Sequence, residues 1–399
     1  MIGSRSLFLT TRSQSLRLHF LLLLGLHGFN AYAQTESKEL LIYGPYSVAY
    51  SDTIILDSAS HYNSFGYEGF KPYFLSVWYP RAKPLGQQPL KFGDFFHTPI
   101  NNPFQRIKAI WLDSCKSQFI GTYLRENPIY GISEAMSDSA WMSMFQEISG
   151  NNTKSYLQEF PKSPSFPVVF YHHGSQGFPF ENSIMAEYLA SDGFCVVAAN
   201  FHLPFQTLQF GLLPYEHWGT HYDENSLRFV LKFVKENLVS DYLFFVGHSW
   251  GAQMGLRTLD VDTVMSGMVS LETTLEFKTS DEDVKSLWPE LHQKLILEKA
   301  QYPFPIFFCA ATGKYEPFSM FRNINQGALK YGIAPEYFDH NAYISSFYSP
   351  LSAESKFKAE VNIEIYNSWR LYIAHLTEIR NFFEGIINNI PQNGLIELK

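Results

Sequence analysis

From Phe166 onward the chain alternates short apolar runs with amphipathic stretches. Pro167–His172, Phe194–Asn200, Tyr242–Val246, Met268–Leu271 and Pro305–Ala310 are each a few residues long and rich in β-branched or aromatic side chains. Such runs predict strands buried on both faces. Between them, Glu181–Ser191, Asp223–Val239 and the stretch after Ser249 carry apolar residues at helical spacing, and Thr279–Gln301 reads as a further helical connector. Alternating strands and helices predict βαβ units, hence a mostly parallel sheet flanked by helices. Tyr337–Asp339 is a candidate for a last short strand. Val361–Ile387 predicts a long C-terminal helix that ends before Pro391.

The part before this core reads differently. Leu41–Pro45, Asp52–Asp57 and Tyr73–Pro80 predict an N-terminal set of antiparallel strands, the last stopped by its proline. Residues 85–165 are the least regular stretch. Two helices, near Phe104–Lys116 and Asp138–Ser149, sit among polar and proline-containing connectors, which suggests an insertion over the sheet edge or a partial lid. No internal repeat or low-complexity tract interrupts the chain, so residues 34–399 read as a single α/β domain.

Composition adds a compartment and removes some partners. The first residues combine Arg5, Arg12 and Arg17 with an apolar run from Leu18 to Phe29 and a small-x-small site at Ala31-Tyr32-Ala33, the pattern of a secretory signal peptide over residues 1–33. The run is too short to favour a retained transmembrane anchor after processing. The expected location is therefore periplasmic or extracellular. Removing that leader takes the formal charge from −8 to −11, that is 27 basic minus 38 acidic residues. No basic stripe is present, which argues against a nucleic-acid partner. Aromatic residues make up 17% of the chain and suit a deep core, and an aromatic-lined pocket besides. Cys115, Cys195 and Cys309 are too few for a disulfide framework, and the last two lie in apolar runs that predict buried thiols.

The candidate chemistry centres on Gly247-His248-Ser249-Trp250-Gly251. It follows the apolar run Tyr242–Val246 and leads into a helix, which is the strand, G-x-S-x-G, helix context of a nucleophile elbow. A serine on so tight a turn is held in a strained backbone and its hydroxyl is pushed out of the sheet. The flanking positions are glycine because a Cβ there would collide with the neighbouring strand or helix. A serine hydroxyl needs a base, and the base needs an orienting acid, in chain order serine, acid, histidine. His340 follows a strand-like triplet on a loop at the edge where a base must sit. His375, within the long helix, and His292, within a charged connector, read as ordinary helix residues. For the acid, Glu272 ends the strand Met268–Leu271 and is preferred. Glu316, beyond Ala311-Thr-Gly-Lys-Tyr315, is the alternative. An oxyanion hole requires two backbone donors. One is the N–H of Trp250. The other is the N–H of Ser175, in the loop His172-His173-Gly174-Ser175-Gln176-Gly177, whose histidines, like His248, read as packing residues.

These residues resemble the serine-hydrolase branch of the α/β-hydrolase superfamily, and within it the platelet-activating factor acetylhydrolase and dienelactone-hydrolase-like group. The likeness is carried by Ser76-Val-Trp-Tyr-Pro80, Val168-Val-Phe-Tyr-His-His-Gly174, Tyr188-Leu-Ala-Ser-Asp-Gly-Phe194, Gly247-His-Ser-Trp-Gly251 and His340 with Tyr343 and Ser345. It spans roughly residues 43–347 and is weak over 85–165. The acid of the acetylhydrolase is an aspartate ending the strand after the elbow, and Leu271-Glu272-Thr273 occupies that place here with glutamate instead. The resemblance implies an α/β-hydrolase fold and a serine hydrolase of acyl or lipid-like carboxylic esters, a small-molecule substrate, working through an acyl-enzyme without metal or organic cofactor. A peptidase or amidase of the same fold, and a non-catalytic binding protein built on it, are the alternatives.

Overall fold

The apolar runs become strands, shifted by a residue or two at the ends. In the computed structural model the described residues are 41–82, 86–97, 104–125, 137–161, 166–175, 177–201, 221–238, 241–260, 264–277, 280–310, 329–335, 337–338, 340–352 and 363–397. The strands are β1 (Ser47–Ser64), β2 (Tyr67–Arg81), β3 (Ser155–Leu157), β4 (Val168–His172), β5 (Cys195–Ala199), β6 (Leu243–His248), β7 (Gly267–Leu271), β8 (Ile306–Ala310), β9 (Leu329–Ile333) and β10 (Gly394–Glu397). The helices used below are α1 (Gln105–Gln118), α2 (Asp138–Ser149), α3 (Ser183–Ser191), α4 (His221–Asn237), α5 (Trp250–Thr258), α6 (Asp281–Leu287), α7 (Pro289–His292) and α8 (Ile363–Ile387).

One sheet holds all ten strands in the order β10-β9-β8-β7-β6-β4-β5-β2-β1-β3. The block from β4 to β10 is parallel throughout, and β2 joins it antiparallel to β5. Every residue of β4 to β8 is buried, which is why these strands are apolar without alternation. β4 lies between β5 and β6, so the chain leaves it toward one side and later returns to its other side. That reversal is a topological switch point, and in open α/β sheets ligands bind at the carboxyl ends of the strands flanking it.

The N-terminal strands are longer than their sequence pattern suggests. β1 and β2 form a single hairpin, turned by Phe65 and Gly66 with φ of 54° and 79°, the positive pair that matches the twist of a hairpin. Leu41–Pro45 is not a strand. Its neighbourhood satisfies the end of α3 instead, with Gly44 N–H donating to Ser191 Oγ at 2.8 Å and Tyr46 N–H to Ser191 O at 3.1 Å. The expected strand at Tyr337–Asp339 is also absent. Phe338 N–H closes a turn on Pro335 O at 3.0 Å, the strand falls earlier at β9, and Asp339 is outside the described residues. The connector Thr279–Gln301 breaks into α6, α7 and a wider turn at Gln293–Leu297, because Pro289 cannot continue a helix and can only start one. β10 lies beyond Pro391, past the end of the C-terminal helix, and is only four residues long.

α8 covers the parallel block from one face. The rings of Phe383 and Phe244 lie 4.4 Å apart, those of Phe382 and Phe307 5.6 Å, and each fully buried ring stabilises by about 2 kcal/mol. α1 lies over the hairpin, its Trp111 5.1 Å from Phe74 and its Lys108 ion-paired with Asp52. Phe96 of the 85–165 stretch meets Phe178 and Phe180, which follow β4, and is itself backed by Phe119 and Phe145. Cys115, Cys195 and Cys309 are buried free thiols, their pKa values raised first by desolvation. Among the described residues no helix is long and apolar enough to cross a membrane. The leader at residues 1–33, the residue after it and Glu316 lie outside the described residues.

Candidate active site

β6 runs straight into the elbow. Ser249 takes φ 52° and ψ −118°, and α5 begins at the next residue. The conformation is costly for a residue with a Cβ, on the order of 1–3 kcal/mol, and surrounding bonds hold it. Ser249 N–H donates to Leu271 O at 3.0 Å, and Ser249 O accepts from Gln253 N–H at 3.1 Å. Its neighbours have no room for a side chain. A Cβ on Gly247 would stand 2.5 Å from Ala252 N, and one on Gly251 2.2 Å from His172 O.

The register then places the acid. His248 of β6 pairs with Leu271 of β7, so the residue after each strand sits at the same level of the carboxyl edge. Glu272, like Ser249, leaves its strand with positive φ, here 50°. Its N–H donates to Cys309 O at 3.1 Å, and its side chain is buried. Behind it, Glu276 fixes the turn by accepting from Thr273 N–H at 3.0 Å and Thr273 Oγ1 at 2.7 Å. Burial is the main reason the Glu276 carboxyl is pushed up to about 7, partly offset by the Thr273 bonds and reinforced by the charge of Glu272. Glu276 was not singled out in the sequence. The signal for it was a glutamate between Leu275 and Phe277, an acid in an otherwise apolar setting.

His340 opens a short 3₁₀ turn, His340–Tyr343, rather than a plain loop. Its Nδ1 lies 3.2 Å from Glu272 Oε1. Its carbonyl accepts from His248 Nε2 at 3.1 Å, and the two imidazole rings are 4.7 Å apart. His248 is held neutral, its pKa well below the usual imidazole range, first by burial and next by the neighbouring His340. A neutral His248 that donates from Nε2 is a bracket for the His340 backbone, in keeping with a packing role. The loop after β4 crosses the same point. A Cβ placed on Gly174 would stand 3.4 Å from Ser249 Cβ and 3.0 Å from His248 Nδ1, and Ser175 follows it half-buried. His172 and His173 brace this loop. His172 Nδ1 is 2.8 Å from His173 O, its ring is stacked 3.9 Å from Phe201, and His173 Nε2 accepts from Phe201 N–H at 3.3 Å. The segments carrying Ser175, Ser249, Trp250, Glu272 and His340 thus meet at one edge of the sheet.

His375 stands apart from this cluster. His375, within α8, is buried, its ring 5.0 Å from Phe338 and 4.9 Å from Tyr343, under the His340 turn. Desolvation lowers its pKa to about 3, against about 6.5 in an unfolded chain. The unfolded state therefore binds the extra proton between those values, so the stability is intact above about pH 6.5 and drains away as pH falls toward 3. Relative to wild type, His375→Leu should gain stability on going from pH 7 to pH 5, by roughly 2 kcal/mol. Urea unfolding at the two pH values measures it, and a pH-independent difference would refute the assignment.

No protein-family model matches the chain, and no curated protein matches it by sequence. Solved structures do match. A ferulic acid esterase from Streptomyces cinnamoneus superposes with a TM-score of 0.52 at 13% identity, over 88% of this chain and 92% of that one. The fold is the α/β-hydrolase fold. Est1E from Butyrivibrio proteoclasticus (TM-score 0.33, 12% identity, 55% of this chain and 90% of that one) and a Pyrococcus horikoshii acylaminoacyl peptidase (TM-score 0.37, 14% identity, 56% and 38%) also align with it. In an open α/β sheet the carboxyl ends of the strands at the switch point are where ligands bind, and the segments carrying Ser249, Glu272 and His340 converge at that edge here.

Proposed function

We propose that this α/β-hydrolase-fold chain is an exported serine hydrolase of carboxylic esters, acyl or lipid-like and of the acetylhydrolase kind. The observation that carries the reading is the approach of His340 Nδ1 to Glu272 Oε1 at 3.2 Å, on a turn packed against the residue that precedes Ser249. With Nδ1 facing the acid, Nε2 is the ring nitrogen we assign to Ser249. Ser249 Oγ attacks the ester carbonyl while His340 Nε2 takes its proton. Glu272 keeps the ring in that tautomer and offsets the imidazolium charge. The oxyanion of the tetrahedral intermediate accepts from the N–H groups of Trp250, first in α5, and Ser175. Collapse expels the alcohol, which leaves with the proton from His340. Water then attacks the acyl-serine with His340 again as base, and the acid product departs. Glutamate in place of the acetylhydrolase aspartate brings a longer arm from the left-handed turn at residue 272.

The test is covalent. A fluorophosphonate probe should modify the purified protein once, and peptide mapping should place the adduct on Ser249. Profiling of short-chain esters, long-chain esters, phospholipids and amides then defines the acyl class. An unlabelled protein would point to the non-catalytic alternative, and amide turnover exceeding ester turnover to the peptidase.

A further inference from the structure

One buried carboxylate stands outside the chemistry above and touches both halves of the site. Glu181, between β4 and α3, has no exposed surface. Tyr171 Oη donates to its Oε1 at 2.7 Å, Tyr123 Oη to its Oε2 at 2.9 Å, and Phe178 N–H to Oε2 at 3.3 Å. The backbone of Gly174 also reaches it. The loop lies directly on the carboxylate, since a Cβ on Gly177 would stand 2.3 Å from Oε2. Gly174 and Phe178 bracket Ser175.

The same residue and its neighbour hold the other side. Glu181 O accepts from Ser346 N–H at 2.9 Å and from Ser345 Oγ at 3.0 Å. Asn182 Oδ1 accepts from Ser345 N–H at 3.1 Å and from Tyr372 Oη at 2.7 Å, while its Nδ2 donates to Tyr343 O at 3.0 Å. Tyr343 to Ser346 is the chain that follows His340.

We infer that Glu181, with Asn182, is a positioning residue that sets the loop bearing the Ser175 N–H against the turn bearing His340. The inference rests on the proposed hydrolase reading. The carboxylate suits the task because both its oxygens accept, from two tyrosine hydroxyls and a backbone N–H. Desolvation raises it to about 7, and its hydrogen bonds to Tyr171, Tyr123, Gly174 and Phe178 act in the opposite sense. Such a group is not selected for stability, because an isolated carboxyl is expensive to bury. Its return is the fixed path of the loop, and a displacement of about 1 Å in an oxyanion donor costs on the order of a hundredfold in rate.

Glu181→Gln keeps the volume but removes the charge and replaces one accepting oxygen with an amide N–H₂. With p-nitrophenyl acetate it should lower kcat about tenfold to a hundredfold and leave KM within about threefold. Phenylboronic acid, whose tetrahedral adduct on Ser249 needs the oxyanion donors, should bind more weakly by the same factor. The control is Glu187→Gln. Glu187 is equally buried, on α3, and its pKa is likewise raised to about 7, but it accepts from Ser155 Oγ at 2.6 Å and Lys154 N–H at 2.9 Å, away from the loop. It should lose thermal stability with kcat and boronate affinity near wild type. If Glu181→Gln does not fold, Tyr123→Phe removes one donor and should move kcat and boronate affinity together by about threefold. An active wild type in which the Glu181 and Glu187 variants behave alike would overturn the inference alone. A wild type that neither turns over ester nor reacts with fluorophosphonate would overturn the hydrolase reading and this inference with it.

Discussion

Ser249→Ala is expected to lower ester turnover by about 10⁶-fold while leaving the protein folded. The alanine inherits the same backbone, φ 52°, with the same Cβ, so the strain at the elbow is unchanged. Ser249 N–H and O keep their partners, Leu271 O and Gln253 N–H. What disappears is the attacking oxygen. His340→Ala should cost nearly as much, and Glu272→Gln about 10⁴-fold, because an amide still spaces the ring but no longer offsets its charge. The losses should not add: Ser249→Ala with Glu272→Gln should be no slower than Ser249→Ala alone. Glu316→Gln should stay near wild type. Steady-state kinetics on one ester, with circular dichroism as the folding control, decide the ranking. A larger loss in the Glu316 variant than in the Glu272 variant would move the acid to the later loop.

Gly251→Ala carries the second large effect, on stability. A Cβ there would lie 2.2 Å from His172 O, 2.7 Å from His172 C and 2.7 Å from His173 O, and all three are backbone atoms. No rotamer change relieves such a clash, so either α5 or the end of β4 must move. Both belong to the buried sheet and its first covering layer, where overpacking costs about 3 kcal/mol or more. The variant should melt well below wild type or fail to accumulate as soluble protein. Gly174→Ala meets softer neighbours, His248 Nδ1 at 3.0 Å and Ser249 Cβ at 3.4 Å, and serves as the comparison. Differential scanning calorimetry of the two variants checks the order.

The parallel block could be read from the chain because its strands are buried on both faces. Val168–His172 or Ile306–Ala310 has no polar alternate to confuse the period. The hairpin was read only in fragments, since β1 runs half-exposed through Asp57-Ser-Ala-Ser60, where a bulge shifts its register. β10 is four residues long, and its pairing with β9 is decided by the sheet and not by local propensity. At the site, G-x-S-x-G and the residue ending the next strand were visible because both positions are defined by neighbours in sequence. The placement of His340 depends on Asn182 and His248, far away in the chain, and Glu181 and Glu276 matter through bonds that no spacing rule encodes.

The return of the chain past β4 also governs how this protein must fold. β4 pairs with β6 across the intervening β5 and α4, and the turn carrying His340 docks onto Asn182 and His248 across a still longer stretch of chain. Contacts of such long sequence separation form slowly, because loop-closure entropy is spent before any pairing compensates it. During synthesis the elbow at Ser249 emerges well before the segment carrying His340. The pairing of Ser249 with the His340 turn therefore waits on chain made about ninety residues later.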